Sequence, residues 1–145
     1  MSKIGCSVAR LEDGPLISGA GKFAADISFP NQLHMRVVRS TVAHGILRSV
    51  DVAAALRHQG VAAAWTASDV AGIPPIGFRL TKIEGIEHFR QPVLARDKVR
   101  YVGEAIAVVF ASDPYVAEDA SELVKADIER LPPVLQVNEI GRAHV

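Results

Sequence analysis

The alternation of apolar and polar positions predicts short strands separated by turns. Residues 33–39 alternate, with Leu33, Met35 and Val37 on one face and His34 on the polar face. A period of two indicates a half-buried strand. Three further strands are predicted at residues 46–50, 61–66 and 126–130.

The strongest strand signal covers residues 99–111, in which residues 105–111 are apolar at every position. A continuous apolar run predicts a strand covered on both faces, as at the centre of an α/β sheet. Gly103 interrupts this strand and marks a bulge or a close backbone approach.

Two short helices are expected between these strands. Asp51 is a candidate N-cap for an alanine-rich helix over residues 52–58. Asp113 followed by Pro114 predicts the start of a second helix, which ends at about Lys125. Strands and helices mix along the chain, so the expected fold class is α/β or α+β, with a mixed sheet and a few short helices.

Length and composition indicate one domain with an ordinary surface. The chain has 145 residues, of which 49% are hydrophobic, and 16 basic residues balance 16 acidic ones. This balance gives no strong field for binding nucleic acid. The locally basic stretch of residues 79–100 is interrupted by acidic residues, which favours a solvated surface or a subunit contact.

Cysteine usage and hydropathy bear on the compartment. Cys6 is the single cysteine, so no intramolecular disulfide forms, and no window approaches the length of a membrane span. The first residues lack the apolar run of a signal peptide. We therefore expect a cytoplasmic protein without a membrane span.

Motifs that carry chemistry are weak or incomplete. Residues 19–24 begin like a dinucleotide fingerprint, but no buried strand precedes them and no helix follows. Cys6 has no base placed beside it to make a nucleophile. The four candidate histidine ligands, none of them spaced four residues from another, are His34, His44, His58 and His88.

Asp97 and Glu104 flank a predicted strand, and two carboxylates this close can act as general acid and base. Surface charges are the commoner reason for such a pair. His44, before Gly45, is expected to be a hydrogen-bonded turn residue. The sequence therefore predicts no catalytic, no cofactor-binding and no metal-binding residue.

Several motifs in a fixed order resemble one family. They include GAGKFAADI at residues 19–27, DKVRYVGE at residues 97–104 and ERLPPV at residues 129–134. Together they resemble the N-terminal a/b hammerhead domain of the xanthine dehydrogenase and aldehyde oxidase family, over residues 5–138. The opening VARLED at residues 8–13 is most similar to the carbon monoxide dehydrogenase large-chain branch.

Two positions depart from the family pattern. Gly45 stands where the family usually has alanine, and Ala105 stands where it usually has proline. Neither change removes a functional group, so both are expected to be tolerated.

The resemblance implies an oxidoreductase subunit with a molybdenum–pterin cytosine dinucleotide cofactor, which hydroxylates its substrate with oxygen from water. Electrons would pass to 2Fe–2S clusters and FAD on partner subunits. The family's cofactor contacts and active-site glutamate lie in a later domain that this sequence lacks. A supporting domain that is inactive alone is therefore expected, with residues 1–32 as an irregular extension.

The DNA string GAG-ATC-GGA-AGA-GCA-CAC-GTC, which matches a common sequencing adapter, would translate into the last seven residues, 139–145. We therefore expect the native part of this sequence to end at about Asn138, with the native chain continuing elsewhere, and treat residues 139–145 as a non-native tail. The alternative is a natural tail that has this sequence by chance.

Two other functions remain open. One is a stand-alone protein-interaction module with the same fold. The other is a small independent enzyme that uses His34, His44 or Asp97, although no base–nucleophile arrangement is visible.

Overall fold

The computed structural model describes residues 4–5, 7–8, 10–77 and 84–139. Cys6 and residues 140–145 of the expected tail lie outside the described residues, as does the start of the basic stretch. The chain divides into two compact units, Met1–Gln32 and Leu33–Val145. Each unit is described by itself below.

The first unit contains two short helical segments that its turn residues did not indicate. Helix α1 spans Asp13–Ile17, and a 3₁₀ turn spans Ala24–Asp26. The carboxylate of Asp26 accepts the backbone N–H of Phe23 at 2.9 Å and so closes the second turn. None of the residues of these two segments is buried within this unit.

The second unit is built on two three-stranded antiparallel sheets. In the first sheet β5 (Ala105–Ala111) lies between β1 (His34–Arg39) and β3 (Val61–Thr66). In the second sheet β2 (Gly45–Asp51) lies between β4 (Lys98–Val99) and β6 (Lys125–Arg130). With the short helices described next, this confirms the predicted fold class, in which strands mix with a few short helices.

The predicted continuous strand over residues 99–111 is wrong in one respect. It divides into β4, which belongs to the second sheet, and β5, which belongs to the first. The turn at residues 100–104 separates them, and Gly103 has a φ of 94° there. A positive φ has a low conformational energy only for glycine, so Gly103 allows the chain to turn from one sheet to the other. Gly103 lies outside both strands and is therefore not a bulge within one. A Cβ added at Gly103 would have no other atom within 4 Å, so no close approach requires glycine there.

Both helices of this unit form where the sequence predicted them, but they are shorter. Helix α2 covers Ala53–Leu56 and its N-cap residue is Val52, so the N-cap predicted at Asp51 is wrong by one residue. The side chain of Asp51 still accepts the N–H of Ala53 at 2.8 Å. Helix α3 covers Pro114–Glu122, and Asp113 is its N-cap as expected. The side chain of Asp113 accepts the N–H groups of Tyr115 and Val116.

Three buried clusters hold the strands and helices of this unit together. One joins the two sheets, one joins the first sheet to α2 and α3, and one lies under the loop segments near residues 70 and 94. Burying a valine or leucine side chain stabilises a fold by about 1.5–3 kcal/mol. The central residues of the three clusters are, in order, Leu47, Ala95, Val99 and Ile106; Ala55, Ala64, Val109 and Ala120; and Val70, Leu94 and Val108.

The predicted inward face of β1 is partly wrong. Leu33 and Met35 are exposed, whereas Val38 packs in two of the buried clusters and Val37 packs in the third. Helices α2 and α3 cover the face of the sheet that holds Val38, so the core lies on both sides of β1. A period-two pattern alone does not show that both faces of a strand are covered.

Candidate functional site

The structure does not bring the candidate ligands together. His34 lies on β1, His44 lies just before β2, and His58 follows α2. The backbone of His88 belongs to a 3₁₀ turn, Ile86–Phe89. Within the described residues no group of three His, Cys, Asp or Glu side chains is placed to hold a metal ion. These residues therefore offer no donor set that fits a metal.

His44 makes two hydrogen bonds to the segment that follows β6, one through its ring and one through its backbone. Its ring Nδ1 lies 2.9 Å from the carbonyl oxygen of Pro132 and is therefore the donor. Its own carbonyl oxygen accepts the N–H of Leu131, also at 2.9 Å. His44 thus fixes the segment that follows β6 against the start of β2, in agreement with a hydrogen-bonded turn residue.

The two candidate acid–base carboxylates have different environments. Glu104 is 2% exposed, and its Oε2 accepts the backbone N–H of Arg100 at 2.5 Å. Its other oxygen, Oε1, has no hydrogen-bond partner among the described residues and lies 3.9 Å from the Arg100 guanidinium. Asp97 is exposed. The hydrogen bond that Glu104 makes is thus to the backbone of the turn after β4, and its carboxylate does not reach solvent.

Glu104 is one of several contacts that fix the turn at residues 100–104. The N–H of Gly103 donates to the carbonyl of Ser40 at 2.7 Å, and the N–H of Ser40 donates to the carbonyl of Glu104 at 2.8 Å. The Arg39 guanidinium donates to the carbonyl of Gly103 at 2.8 Å. The turn is therefore held rigidly, and it carries the exposed side chains of Tyr101 and Val102 at its tip.

A cleft of about 780 Å³ lies beside this turn. Its cations are Lys98 and Arg100, and the Arg100 guanidinium also donates to the carbonyl of Lys98 at 3.2 Å. The lining residues include no serine, threonine or cysteine that a base could activate. The cleft is lined by Ala43, His44, Lys98, Arg100, Tyr101, Val102, Pro132, Pro133, Val134, Leu135 and Glu139.

A row of large apolar side chains crosses the first sheet on the face opposite α2 and α3. Met35 on β1 is the antiparallel partner of Phe110 on β5. The ring of Trp65 on β3 meets Phe110 edge-on, with centroids 4.7 Å apart and an angle of 64° between the planes. We call Met35, Phe110 and Trp65 the apolar row. The strand pattern indicated Met35 as an inward residue, but only the pairing register shows that the three side chains are neighbours.

An acidic turn ends β3 next to Trp65. Asp69 accepts the backbone N–H of Thr66 at 2.7 Å and the Thr66 hydroxyl at 3.0 Å. The backbone hydrogen bond, followed by the hydroxyl, lowers the pKa of Asp69 below its ordinary value. This turn positions Trp65 at the end of its strand.

The chain matches one family over most of its length. Residues 18–132 match the family described as "Aldehyde oxidase and xanthine dehydrogenase, a/b hammerhead domain". The protein therefore belongs to the a/b hammerhead domain family of aldehyde oxidases and xanthine dehydrogenases.

Individual relatives agree with this assignment. The chain is 43% identical over 141 residues to the 6-hydroxypseudooxynicotine dehydrogenase complex subunit gamma of Paenarthrobacter nicotinovorans, covering 94% of this chain and 18% of that subunit. It is 36% identical over 124 residues to the carbon monoxide dehydrogenase large chain of Hydrogenophaga pseudoflava, covering 86% and 15%. The crystal structure of quinoline 2-oxidoreductase from Pseudomonas putida 86 superposes with a TM-score of 0.84 at 36% identity, covering 98% and 18%.

The chain thus spans less than a fifth of the length of each of these three relatives. No described helix is long and apolar enough to cross a membrane.

Proposed function

We propose that this chain is a supporting domain of the large subunit of a molybdenum hydroxylase. In this role it contributes rigid surfaces to the subunit and supplies no reacting group. The observation that carries the proposal is the match over 98% of this chain to 18% of quinoline 2-oxidoreductase. Almost all of this chain matches, yet the matching region is less than a fifth of the related chain. This is the pattern expected for one domain of a larger enzyme.

The chemistry proposed for the whole subunit follows from its relatives. Their names describe a carbon monoxide dehydrogenase large chain and a subunit of a dehydrogenase complex. We propose that the parent subunit holds a molybdenum–pterin cytosine dinucleotide, which supplies hydroxylation with oxygen from water. FAD and 2Fe–2S subunits are the proposed electron-accepting partners, and the cytoplasm is the proposed compartment.

The described residues of this chain support a scaffold role. Its most buried carboxylate, Glu104, holds a turn instead of facing a cleft. His44 fixes the segment after β6. These groups orient backbone, and no proton transfer is assigned to any of them.

A domain exchange tests the proposal. The matching domain of the quinoline 2-oxidoreductase large subunit is replaced by residues 5–138 of this chain, and the chimera is produced with the enzyme's own partner subunits. We expect an assembled complex that contains molybdenum and oxidises quinoline.

The matched control carries the corresponding domain of the Hydrogenophaga pseudoflava carbon monoxide dehydrogenase large chain, which is also 36% identical to this chain. The proposal fails if this control chimera assembles and the chimera with residues 5–138 does not. Stoichiometric molybdenum on the isolated 145-residue chain would also contradict the scaffold role.

A further inference from the structure

Within the first sheet of the second unit, the apolar row contains the most exposed large apolar side chains. Met35 is 55% exposed and Trp65 is 44% exposed, while Phe110 between them is half-buried. The three residues come from all three strands of the sheet. Strand pairing therefore fixes their spacing.

The centre of the sheet is covered on both faces. On one face Ala64 and Val109 pack against Ala55 and Ala120, which lie on α2 and α3. On the other face Val70 and Leu94 pack on Val108, which is two residues from Phe110 along β5. Phe110 therefore belongs both to the apolar row and to this buried cluster. The described residues cover the cluster but leave Met35 and Trp65 exposed.

The composition of the apolar row is typical of a permanent interface. Tryptophan, phenylalanine and methionine are enriched in interface cores, and charged residues are depleted there. Trp65 is already held by Phe110, so little side-chain entropy would be lost on docking. Met35 has a flexible thioether chain that fits irregular partners.

The proportions of the relatives indicate what covers the apolar row. In each relative described above, the matching stretch forms 15–18% of a single polypeptide. More than four fifths of such a chain is therefore linked covalently to this domain. A linked segment meets its docking surface at an effective concentration of about millimolar, which favours it over a separate subunit.

We propose that the apolar row docks the remainder of the same large-subunit polypeptide. This inference rests on the proposed function. The balanced charge of the chain, with 16 basic and 16 acidic residues, agrees with docking by apolar burial instead of by electrostatic attraction.

Photo-crosslinking in the assembled chimera tests the assignment. p-Benzoylphenylalanine replaces Met35, and in a matched control it replaces Tyr115, which is 79% exposed on α3. Position 35 is expected to cross-link to a peptide of the same polypeptide outside this domain, at least fivefold more than position 115. Cross-links from position 35 to another subunit, to a second copy or to residues of this chain would overturn the proposal.

Charge insertion gives a second measurement. Met35→Lys and Trp65→Lys are expected to reduce the yield of assembled complex by about tenfold, as at an interface hot spot, and Tyr115→Lys is expected to leave it unchanged. An unchanged urea midpoint for the Met35→Lys chain would show that the loss arises from docking and not from unfolding.

The possible outcomes separate the two proposals. If the unsubstituted chimera does not assemble although its control does, the proposed function fails and the docking assignment fails with it. If the chimera assembles and neither lysine substitution reduces the yield, the docking assignment alone is wrong.

Discussion

The carboxylate of Glu104 accepts the backbone N–H of Arg100 at 2.5 Å and closes the turn that carries the chain from the second sheet to the first. The carboxylate is almost completely buried, whereas the Arg100 side chain is largely exposed. The hydrogen bond to the backbone, and not the ion pair with the guanidinium, is therefore the main contribution of Glu104 to the turn.

Removing the Glu104 side chain should destabilise the domain. Glu104→Ala leaves the N–H of Arg100 without its acceptor and opens a cavity, which is expected to cost about 1–3 kcal/mol of unfolding free energy. Glu104→Gln keeps one acceptor oxygen and should cost less. Urea unfolding of the three chains measures both differences.

Arg100→Ala serves as the control for the ion pair. A largely exposed pair contributes about 0–1 kcal/mol, so this variant should stay close to the parent chain. A loss for Arg100→Ala equal to that of Glu104→Ala would show that the ion pair dominates, contrary to our interpretation.

Alanine at position 45 should be less stable than glycine in this chain. A Cβ on Gly45 would lie 2.6 Å from Cγ2 of Ile128 and 2.7 Å from the carbonyl oxygen of Glu129, which belongs to the β6 backbone. Overpacking of this kind costs about 1–3 kcal/mol. Gly72→Ala, with no atom within 4 Å of its Cβ, is the matched control for thermal unfolding. Equal melting temperatures for the two variants would contradict the prediction.

The low pKa of Asp69 predicts a pH dependence of stability. The folded-state pKa is lowered by the hydrogen bonds from Thr66, whereas the unfolded value is about 3.9. The bonds to the carboxylate therefore stabilise the fold above pH 4, and this contribution is lost as the pH falls through the folded-state pKa. The parent chain should be more stable than Asp69→Asn at pH 7, and the difference should shrink towards pH 2.

Urea midpoints at pH 7, 4 and 2 measure this difference. Asp119→Asn, at an exposed carboxylate on α3, provides the control and should show a small difference at every pH. A difference between Asp69→Asn and the parent chain that stays constant with pH would rule out the carboxylate as its source.

The N-cap of α3 should be needed for the helix to form fully. Asp113→Ala leaves the N–H groups of Tyr115 and Val116 without their acceptor and is expected to cost about 1 kcal/mol. Asp113→Ser keeps an acceptor and should recover most of this loss. Urea unfolding followed by far-ultraviolet circular dichroism compares them, and equal stability of the alanine and serine variants would contradict a capping role.

The elements of the second unit follow closely from its sequence, but their arrangement does not. Alternation located β1 within one residue, and the pair Asp113–Pro114 located the start of α3. The sequence did not show that residues 99 and 105 belong to different sheets, because apolar runs carry no information on pairing partners. Likewise the exposure of Met35 depends on which face the helices cover, and this is a tertiary property.

The chemistry of the candidate site stays a prediction, and the sequence did not indicate the positions that the fold brings together. Weak motifs at Asp97, Glu104 and the histidines indicated a chain without a reacting group, and this remains a prediction. The resemblance to the family, carried by ordered motifs such as the one at residues 97–104, is confirmed by the match over residues 18–132. The apolar row could not be found from sequence, since Trp65 and Met35 become neighbours of Phe110 only through β-pairing.

The pairing order also determines when this domain can fold during synthesis on the ribosome. Strand β1 must wait for β5 at Ala105–Ala111, and β2 must wait for β6 at Lys125–Arg130. At a synthesis rate of about 5–20 residues per second, β2 therefore spends several seconds without β6 beside it. During that interval one edge of β2 is unpaired. Strand β4 at Lys98–Val99 pairs with the other edge earlier, and Ala95, Val99 and Ile106 cover Leu47, so the arrival of β6 completes the sheet.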